Sequence, residues 1–180
     1  MKELSLNILD IAENSVRAMA ENITVALEED DDILMLSVRD DGCGMSKELL
    51  EKATDPFTTS RTNRRVGFGI PFLKYAAERT GGYIVIGSSP GIGTEIKALY
   101  YKKHIDYAPL GDVISTVVTL IHGSPNIDIV FSHSIKGENK RRVYLSTKDM
   151  RSVLGSVRLD EPEVLSWVRE YLLGQYGGEA

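Results

Sequence analysis

The sequence is poor in the residues that define several common protein classes. Its 180 residues include one cysteine and three histidines. The single cysteine, Cys43, cannot form an internal disulfide, which excludes the disulfide-stapled secreted domains and fits a reducing cytosol. His122 and His133 have no other metal ligands near them in the sequence, so we expect both to be structural or exposed. Cys43 is more simply a small loop residue than a nucleophile, because no histidine in the first hundred residues could activate it.

Long hydrophobic runs and a basic excess are also missing. The longest mostly apolar run, residues 113–121, is too short to cross a bilayer. Asn7 and Asp10 interrupt the N-terminal segment, which therefore does not resemble a signal peptide. The formal net charge is -5, whereas broad nucleic-acid binding needs a basic face. We therefore expect a cytoplasmic protein with neither a membrane nor a nucleic acid as a partner.

The apolar pattern that is present predicts helices mixed with strands, without internal repeats. Residues 55–69 have no periodicity and are predicted as a long loop, a feature that often carries function. The character of the chain changes near residue 104, so we predict a domain at residues 1–103 and a small α+β segment at residues 104–180. Helices are predicted at 4–20, 47–53, 71–79, 109–122, 148–154 and 162–173, and strands at 22–28, 33–40, 83–87, 94–101, 127–135 and 141–145.

Three polar residues share one side of the first predicted helix. Asp10, Asn14 and Arg17 are spaced by four and then three positions, which places them together and away from the apolar stripe. The Asn14 oxygen could serve as one ligand of Mg²⁺, which prefers oxygen ligands and often shares its shell with phosphates. Arg17 could grip a phosphate. The simpler alternative is a solvated helix face with a Glu13–Arg17 ion pair.

An aspartate ends the second predicted strand on the face that should be buried. Asp40 alternates in phase with Leu36 and Val38, and a buried carboxylate needs a partner. The amino group of an adenine ring would be such a partner. The following residues, Asp41 to Met45, contain two glycines that allow backbone to approach a flat ligand closely. The alternative is an ordinary Asp-Gly turn.

Two further glycine pairs follow along the chain. Gly67-Phe68-Gly69 leads directly into a predicted helix, and backbone N–H groups at a helix N-terminus form a ready anion site. Gly91 and Gly93 precede a strand that begins at Thr94. Each glycine pair taken alone is best interpreted as a turn. The functional interpretation therefore depends on the order and spacing of all these segments.

In that order the segments resemble the GHKL, or Bergerat-fold, ATPase superfamily, which includes gyrase, heat-shock chaperones, histidine kinases and mismatch-repair ATPases. Residues 55–61 (DPFTTSR) also resemble the segment that precedes the ATP lid of histidine kinases. The resemblance covers residues 4–101. Its four motifs are residues 8–18 (ILDIAENSVRA), 40–45 (DDGCGM), 67–70 (GFGI) and 91–94 (GIGT).

The resemblance implies ATP and Mg²⁺ as cofactors and a role for each matching residue. Asn14 matches the Mg²⁺ ligand, and Arg17 a basic residue set against phosphate. Asp40 matches the aspartate that binds the adenine amino group, and Thr94 a threonine near the adenine edge. Arg61, with Arg64 and Arg65, falls in the lid and either reaches phosphate or is solvated. The remaining expected pocket residues are Gly42, Gly44, Met45, Gly67, Phe68 and Gly69.

The sequence also departs from the family. The ATPase branch has a glutamate as general base four residues before the Mg²⁺ ligand, whereas this chain has the shorter Asp10 there, with Glu13 beside Asn14. We expect no helical hairpin before the first motif, although histidine kinases carry their phosphoacceptor histidine on such a hairpin. His104 lies before Pro109-Leu110 at the spacing of such a phosphoacceptor, but Ile105 replaces the expected acidic residue, so we interpret His104 as a loop residue.

These observations predict an α/β two-layer sandwich, a mixed sheet covered by helices on one face, with a small α+β C-terminal appendage. Three functions remain in competition. The first is a nucleotide-dependent switch or slow ATPase that signals to an unidentified protein partner, with Asp10 as the general base. The second is a kinase that phosphorylates a serine or histidine of a partner, as anti-sigma-factor kinases do. The third is a non-catalytic ATP-binding module. A homodimer is compatible with all three.

Overall fold

The computed structural model describes residues 3–55, 69–137 and 140–177. The elements follow the sequence pattern closely. The helices are α1 (Leu4–Arg17), α2 (Lys47–Lys52), α3 (Gly69–Arg79), α4 (Val113–Gly123), α5 (Thr147–Leu154) and α6 (Pro162–Gln175). The strands are β1 (Asn22–Glu29), β2 (Ile33–Asp40), β3 (Tyr83–Ser89), β4 (Gly93–Tyr101), β5 (Asp128–Ile135) and β6 (Arg141–Ser146).

The strands form one six-stranded sheet in the order β3-β4-β2-β1-β5-β6. Strand β5 pairs parallel to β1, while the other neighbours are antiparallel. The sheet is therefore mixed, and the predicted α/β sandwich is confirmed. The C-terminal strands β5 and β6 extend the same sheet that the N-terminal strands begin. The division of the chain at residues 103 and 104 stays a prediction.

Alternation along the central strands explains why helices cover one face of this sheet. Ile23, Val25 and Leu27 of β1 are buried while the residues between them are more exposed. The apolar stripe of α1, including Ile8 and Ile11, packs in the same core. Asp10, Asn14 and Arg17 are thereby left on the other side of α1, where they are free to line a site.

The two largest differences from the predicted helix boundaries have identifiable reasons. Helix α1 ends at Arg17 rather than at residue 20, because Met19 adopts a left-handed conformation with φ of 58°. Helix α4 begins at Val113 rather than at residue 109. Asp112 caps it by accepting a hydrogen bond from the Ser115 N–H at 2.8 Å, as short polar side chains do at helix N-termini.

The segment before α4 closes the N-terminus of α1. Glu3 provides no side-chain cap for α1, yet its first N–H groups have partners. The Leu4 N–H donates to the Pro109 carbonyl at 3.0 Å, and the Ser5 N–H donates to the Leu110 carbonyl at 2.8 Å. These bonds satisfy groups that a helix start otherwise leaves unpaired. The C-terminal part of the chain therefore holds the helix that carries Asp10 and Asn14.

Among the helices of the described ranges, none combines the length and the hydrophobicity that a membrane span requires.

Candidate nucleotide-binding site

The polar side of α1 faces the start of α3 at very close range. A Cβ atom added to Gly69 would lie 3.3 Å from the Asp10 Cβ and 3.4 Å from the Asn14 Nδ2. Gly69 is buried at the first position of α3. The absence of a side chain therefore lets the N-terminus of α3 lie against the two residues that the sequence assigns to metal and phosphate chemistry.

Asn14 and Arg17 are in direct contact. The Arg17 Nη2 donates to the Asn14 Oδ1 at 2.6 Å, and its Nη1 lies 3.4 Å from the Glu13 Oε2. The Glu13–Arg17 ion pair considered as the simpler alternative is thus present, with both side chains about half exposed. Exposed pairs of this kind contribute little to stability. The Asn14 oxygen is thus hydrogen-bonded to the Arg17 guanidinium, and a cation that used this oxygen would have to displace the guanidinium.

The Asp10 carboxyl has a raised pKa. Partial burial is the main cause, and the negative charge of Glu13 adds to it, while Arg17 opposes both. Burial penalises the charged form of a carboxylic acid, and a like charge nearby acts in the same direction. A carboxylate whose pKa is raised towards neutrality is a better proton acceptor, which is the property that a general base needs.

The Asp40 carboxylate accepts three hydrogen bonds from the protein. Its Oδ2 accepts from the Ser15 hydroxyl at 2.6 Å. Its Oδ1 accepts from the Gly42 N–H at 3.0 Å and the Thr94 N–H at 3.2 Å. An ionised carboxylate offers about four acceptor positions. The protein donors thus orient the carboxylate and leave capacity on Oδ2 for a donor such as an amino group.

The neighbouring residue, Asp41, has a structural role. The Asp41 carboxylate accepts from the backbone N–H groups of Glu21 and Asn22, each at 2.8 Å, and from the Asn22 side-chain amide at 2.6 Å. These bonds, led by the Asn22 side chain, hold the pKa of Asp41 below its usual range. Asp41 therefore ties the end of β2 to the start of β1, and its oxygens are used for structure.

Gly44 follows these aspartates in a position that admits no side chain. Its φ is +65°, and a Cβ atom there would overlap the carbonyl group of Ser89. Both facts favour glycine, which alone adopts this conformation without strain. The loop after β2 therefore lies directly on the β3–β4 turn, as close backbone approach in the predicted glycine motif requires.

Sequence reasoning missed two serines that organise the pocket. Ser15 is buried on α1 and donates to Asp40. Ser88 on β3 contacts three groups: the Met45 N–H at 2.8 Å, the Gly93 carbonyl at 3.0 Å and the Thr94 hydroxyl at 2.9 Å. Ser15 could have been found, because it follows Asn14 directly and helical spacing turns it inwards. Ser88 had no signal, because its role depends on strand pairing.

Part of the predicted site lies outside the described residues. Arg61, Gly67 and Phe68 belong to this group, together with Arg64 and Arg65. The described part nevertheless brings most of the predicted residues to one end of the sheet and of α1. These residues are Asp10, Asn14, Arg17, Asp40, Gly42, Gly44, Met45, Gly69 and Thr94.

Two of the three histidines, one buried and one exposed, make hydrogen-bond or ion-pair contacts within the described residues. His133 is buried, its Nδ1 lies 2.8 Å from the Tyr176 hydroxyl, and its Nε2 lies 3.2 Å from the Glu29 carboxylate. Burial lowers the pKa of His133. His104 is exposed in the bend after β4 and accepts from the Asp106 N–H at 3.1 Å. Both fit the sequence interpretation of structural or loop histidines.

Comparison with known families adds an independent observation to this geometry. The family model described as "Histidine kinase-, DNA gyrase B-, and HSP90-like ATPase" matches residues 2–104, which is more than half of the chain. The chain belongs to this ATPase family. The match ends at the close of β4, so it covers the pocket described above and excludes α4 to β6 and the last two helices.

Several relatives of this ATPase-family chain are sensor kinases. It is 28% identical over 90 residues to a probable C4-dicarboxylate sensor kinase of Bacillus subtilis, covering 49% of this chain and 17% of that protein. It is 30% identical over 117 residues to the cell-division control histidine kinase PdhS of Brucella ovis, covering 56% of this chain and 11% of that protein. The chain therefore corresponds to a small fraction of the length of these relatives.

A solved structure supports the fold over a larger part of the chain. The N-terminal domain of a DNA repair protein superposes with a TM-score of 0.58 at 11% sequence identity, covering 87% of this chain and 58% of that one. Identity this low shows the fold alone. The likeness extends beyond the residues that the family model matches.

Membership of this ATPase family implies ATP binding, and the donor set fits the nucleotide and its usual metal. Asp40 presents acceptor capacity of the kind an adenine amino group requires. No cluster of three or more histidine, cysteine or acidic ligands exists within the described residues. Mg²⁺ commonly binds through few protein oxygens together with phosphates and water. Asn14 would supply one oxygen, and the metal would neutralise phosphate charge.

Asn14→Ala is expected to remove most of the Mg²⁺ dependence of nucleotide binding. The substitution deletes the one oxygen that Arg17 now occupies and that a cation would take over. Calorimetry with ATP, with and without Mg²⁺, measures the effect as a ratio of two dissociation constants. Arg17→Ala provides the contrast, because it frees the Asn14 oxygen and should keep or increase the Mg²⁺ dependence. An unchanged ratio in Asn14→Ala would exclude Asn14 as the metal ligand.

Proposed function

We propose that this protein is an ATP-dependent switch with slow ATPase activity, which reports the nucleotide state to a protein partner. The observation that carries the proposal is that α1 contacts both the candidate nucleotide site and the C-terminal segment. One side of α1 bears Asp10 and Asn14, and its N-terminus is closed by the carbonyls of Pro109 and Leu110. A displacement of α1 caused by nucleotide binding near Asp10 and Asn14 would therefore also move its contacts with the C-terminal segment.

Packing beyond this backbone contact supports the same proposal. The Thr116 hydroxyl of α4 lies 3.3 Å from the Ser5 carbonyl of α1, and both residues are buried. Helix α4 in turn packs against both α1 and α6. A continuous set of packed helices is what transmits a displacement from one site to a distant surface. The partner would contact the C-terminal helices.

A protein kinase acting on a separate partner is the second candidate. Its support is the resemblance to sensor kinases such as that of Bacillus subtilis, whose names specify phosphotransfer. Nothing in phosphoryl transfer to a protein hydroxyl or imidazole would demand a different pocket, since catalysis rests mainly on positioning and electrostatics. The two candidates therefore differ in the acceptor of the γ-phosphate rather than in the binding site.

Incubation with γ-labelled ATP separates the candidates. The protein is assayed alone and with a cell lysate, and both free phosphate and labelled protein are measured. Slow release of phosphate by the protein alone supports the switch, and a labelled partner protein supports the kinase. Binding of ATP with neither outcome would leave the third function, a non-catalytic module. Absence of any ATP binding would contradict all three.

ATP or ADP with Mg²⁺ is expected to raise the melting temperature, whereas GTP should raise it much less. A ligand that binds only the folded state adds about 2.7 kcal/mol at a hundredfold excess over its dissociation constant. The guanine keto group cannot donate the hydrogen that Asp40 accepts. Differential scanning fluorimetry at equal nucleotide concentrations measures both shifts. Equal shifts for ATP and GTP would contradict the role of Asp40.

A further inference from the structure

Three residues on neighbouring strands lie in one row across the sheet at the adenine end of the site. Ser88 of β3 pairs in register with Thr94 of β4, and Thr94 pairs with Asp40 of β2. All three are half-buried. Register partners on one face have adjacent side chains. The direction in which one hydroxyl of this row donates its proton therefore constrains the role of the next hydroxyl.

The contacts of the Ser88 hydroxyl admit one consistent arrangement of hydrogens. The Met45 N–H, 2.8 Å away, can only donate, and the Gly93 carbonyl, 3.0 Å away, can only accept. Ser88 has a single proton, which must go to the Gly93 carbonyl. Otherwise two oxygens would face each other at 3.0 Å without a hydrogen between them, which is repulsive.

The same reasoning fixes the hydroxyl of Thr94. Its Oγ1 lies 2.9 Å from the Ser88 Oγ, and distance alone allows either oxygen to donate. Since the Ser88 proton is already used on Gly93, Thr94 must donate to Ser88. A hydroxyl has one donor and two acceptor positions. The Thr94 oxygen therefore keeps only lone pairs for any other partner.

We propose that Ser88 is a specificity-determining positioning residue, which makes Thr94 an obligatory acceptor towards the 6-amino group of adenine. This inference rests on the proposed binding of ATP. Asp40 and Thr94 then form a wall that presents acceptors only, and it matches the two N–H donors of an amino group. A 6-oxo purine would place its oxygen against lone pairs on both residues and would be rejected by both.

The test compares binding of ATP, ITP and purine riboside triphosphate by calorimetry. ITP replaces the 6-amino group with an oxygen, and purine riboside triphosphate has no substituent there. In Ser88→Ala the Thr94 proton loses its acceptor and is free to reach a 6-oxo group. The preference for ATP over ITP should therefore fall about tenfold, the size of one net hydrogen bond. A uniform loss of affinity for all three nucleotides would indicate a merely structural role.

Thr94→Val provides a second variant that does not depend on the folding of Ser88→Ala. It removes the acceptor, so the preference for ATP over purine riboside triphosphate should fall. In this background an added Ser88→Ala should change the ATP-to-ITP preference no further, because Ser88 acts through Thr94. Ser88→Thr retains a hydroxyl and should restore the wild-type preference. Ser37→Ala, on the opposite face of β2, is the control and should leave every preference unchanged.

The outcomes separate this inference from the proposed function. Failure of the wild type to bind ATP would overturn the proposed function. If the wild type binds ATP, an unchanged ATP-to-ITP preference in folded Ser88→Ala would overturn the role of Ser88. An equal effect of Ser88→Ala with and without the Thr94 hydroxyl would do the same. An unchanged preference for ATP over purine riboside triphosphate in Thr94→Val would show that Thr94 does not accept from the amino group.

Discussion

Asp40→Asn is expected to weaken ATP binding by about a hundredfold while the protein remains folded. Two backbone donors, the Gly42 and Thr94 N–H groups, point at the Asp40 Oδ1. The oxygen of the new amide should therefore take that position, which leaves its NH₂ group on the side of Ser15 and the base. A donor would then face the adenine amino group. Hydrogen bonds to charged groups contribute about 1.5–3 kcal/mol, and this one would be lost and replaced by a repulsion.

Asp41→Asn is the matched control, since the same change is made one residue later. Asp41 bonds to the backbone of Glu21 and Asn22 and not to the pocket, so nucleotide affinity should stay near that of the wild type. The lowered pKa of Asp41 means that folding stabilises its charged form. This contribution to the stability of the protein is present above the pKa that Asp41 has in the unfolded chain. It is lost as the pH falls through the lower pKa that Asp41 has in the folded protein. Wild-type ATP affinity in folded Asp40→Asn would refute the adenine role.

Local sequence patterns predicted the elements well because each rule that applies is a local one. Strand β2 was predicted at its observed bounds, since Leu34, Leu36 and Val38 recur at every second position up to the end of the strand. Helix α6 begins at the predicted Pro162, because proline suits the first turn of a helix. The ends of α1 and α4 were less predictable, since a left-handed Met19 and an aspartate cap decide them.

The parts that could not be predicted depend on contacts between distant segments. No periodicity indicates that β5 pairs with β1 across about a hundred residues, or that Pro109 and Leu110 close the start of α1. The same holds for the pocket. Asp40 was found because it ends an alternating strand, whereas Ser88 acquires its role through its register with Thr94. The sequence could therefore predict Asp40 and Thr94, but not the Ser88 hydroxyl that contacts Thr94.

Asp10→Asn is expected to stop phosphate release while ATP affinity is preserved. Asp10 lies one helical turn before Asn14 on the same side of α1 and next to the start of α3. Our hypothesis is that it orients and deprotonates the attacking water. The Asp10 side chain is one methylene shorter than the glutamate of the ATPase branch, so its carboxylate is placed less closely to the attacking water. Hydrolysis should consequently be slow, and Asp10→Glu should match or exceed the wild-type rate.

The raised pKa of Asp10 gives this hypothesis a signature in pH. A general base must be deprotonated, so the rate should fall on acidification, and at a higher pH than an ordinary aspartate would produce. Glu13→Gln should move that fall to lower pH, because Glu13 contributes to the raised pKa and Gln removes its charge. A raised folded pKa also means that stability is lost as the pH rises through it. Asp10→Asn should therefore be no less stable than the wild type at neutral pH.

These expectations make the Asp10 experiment decisive for the choice of function. Binding is measured by calorimetry, and phosphate release is measured in single turnover for the wild type, Asp10→Asn and Asp10→Glu. A melting curve at neutral pH shows that each variant is folded. Release at the wild-type rate by Asp10→Asn would eliminate the general base. The kinase and the binding module would then both stand ahead of the switch, since neither requires a carboxylate that activates water.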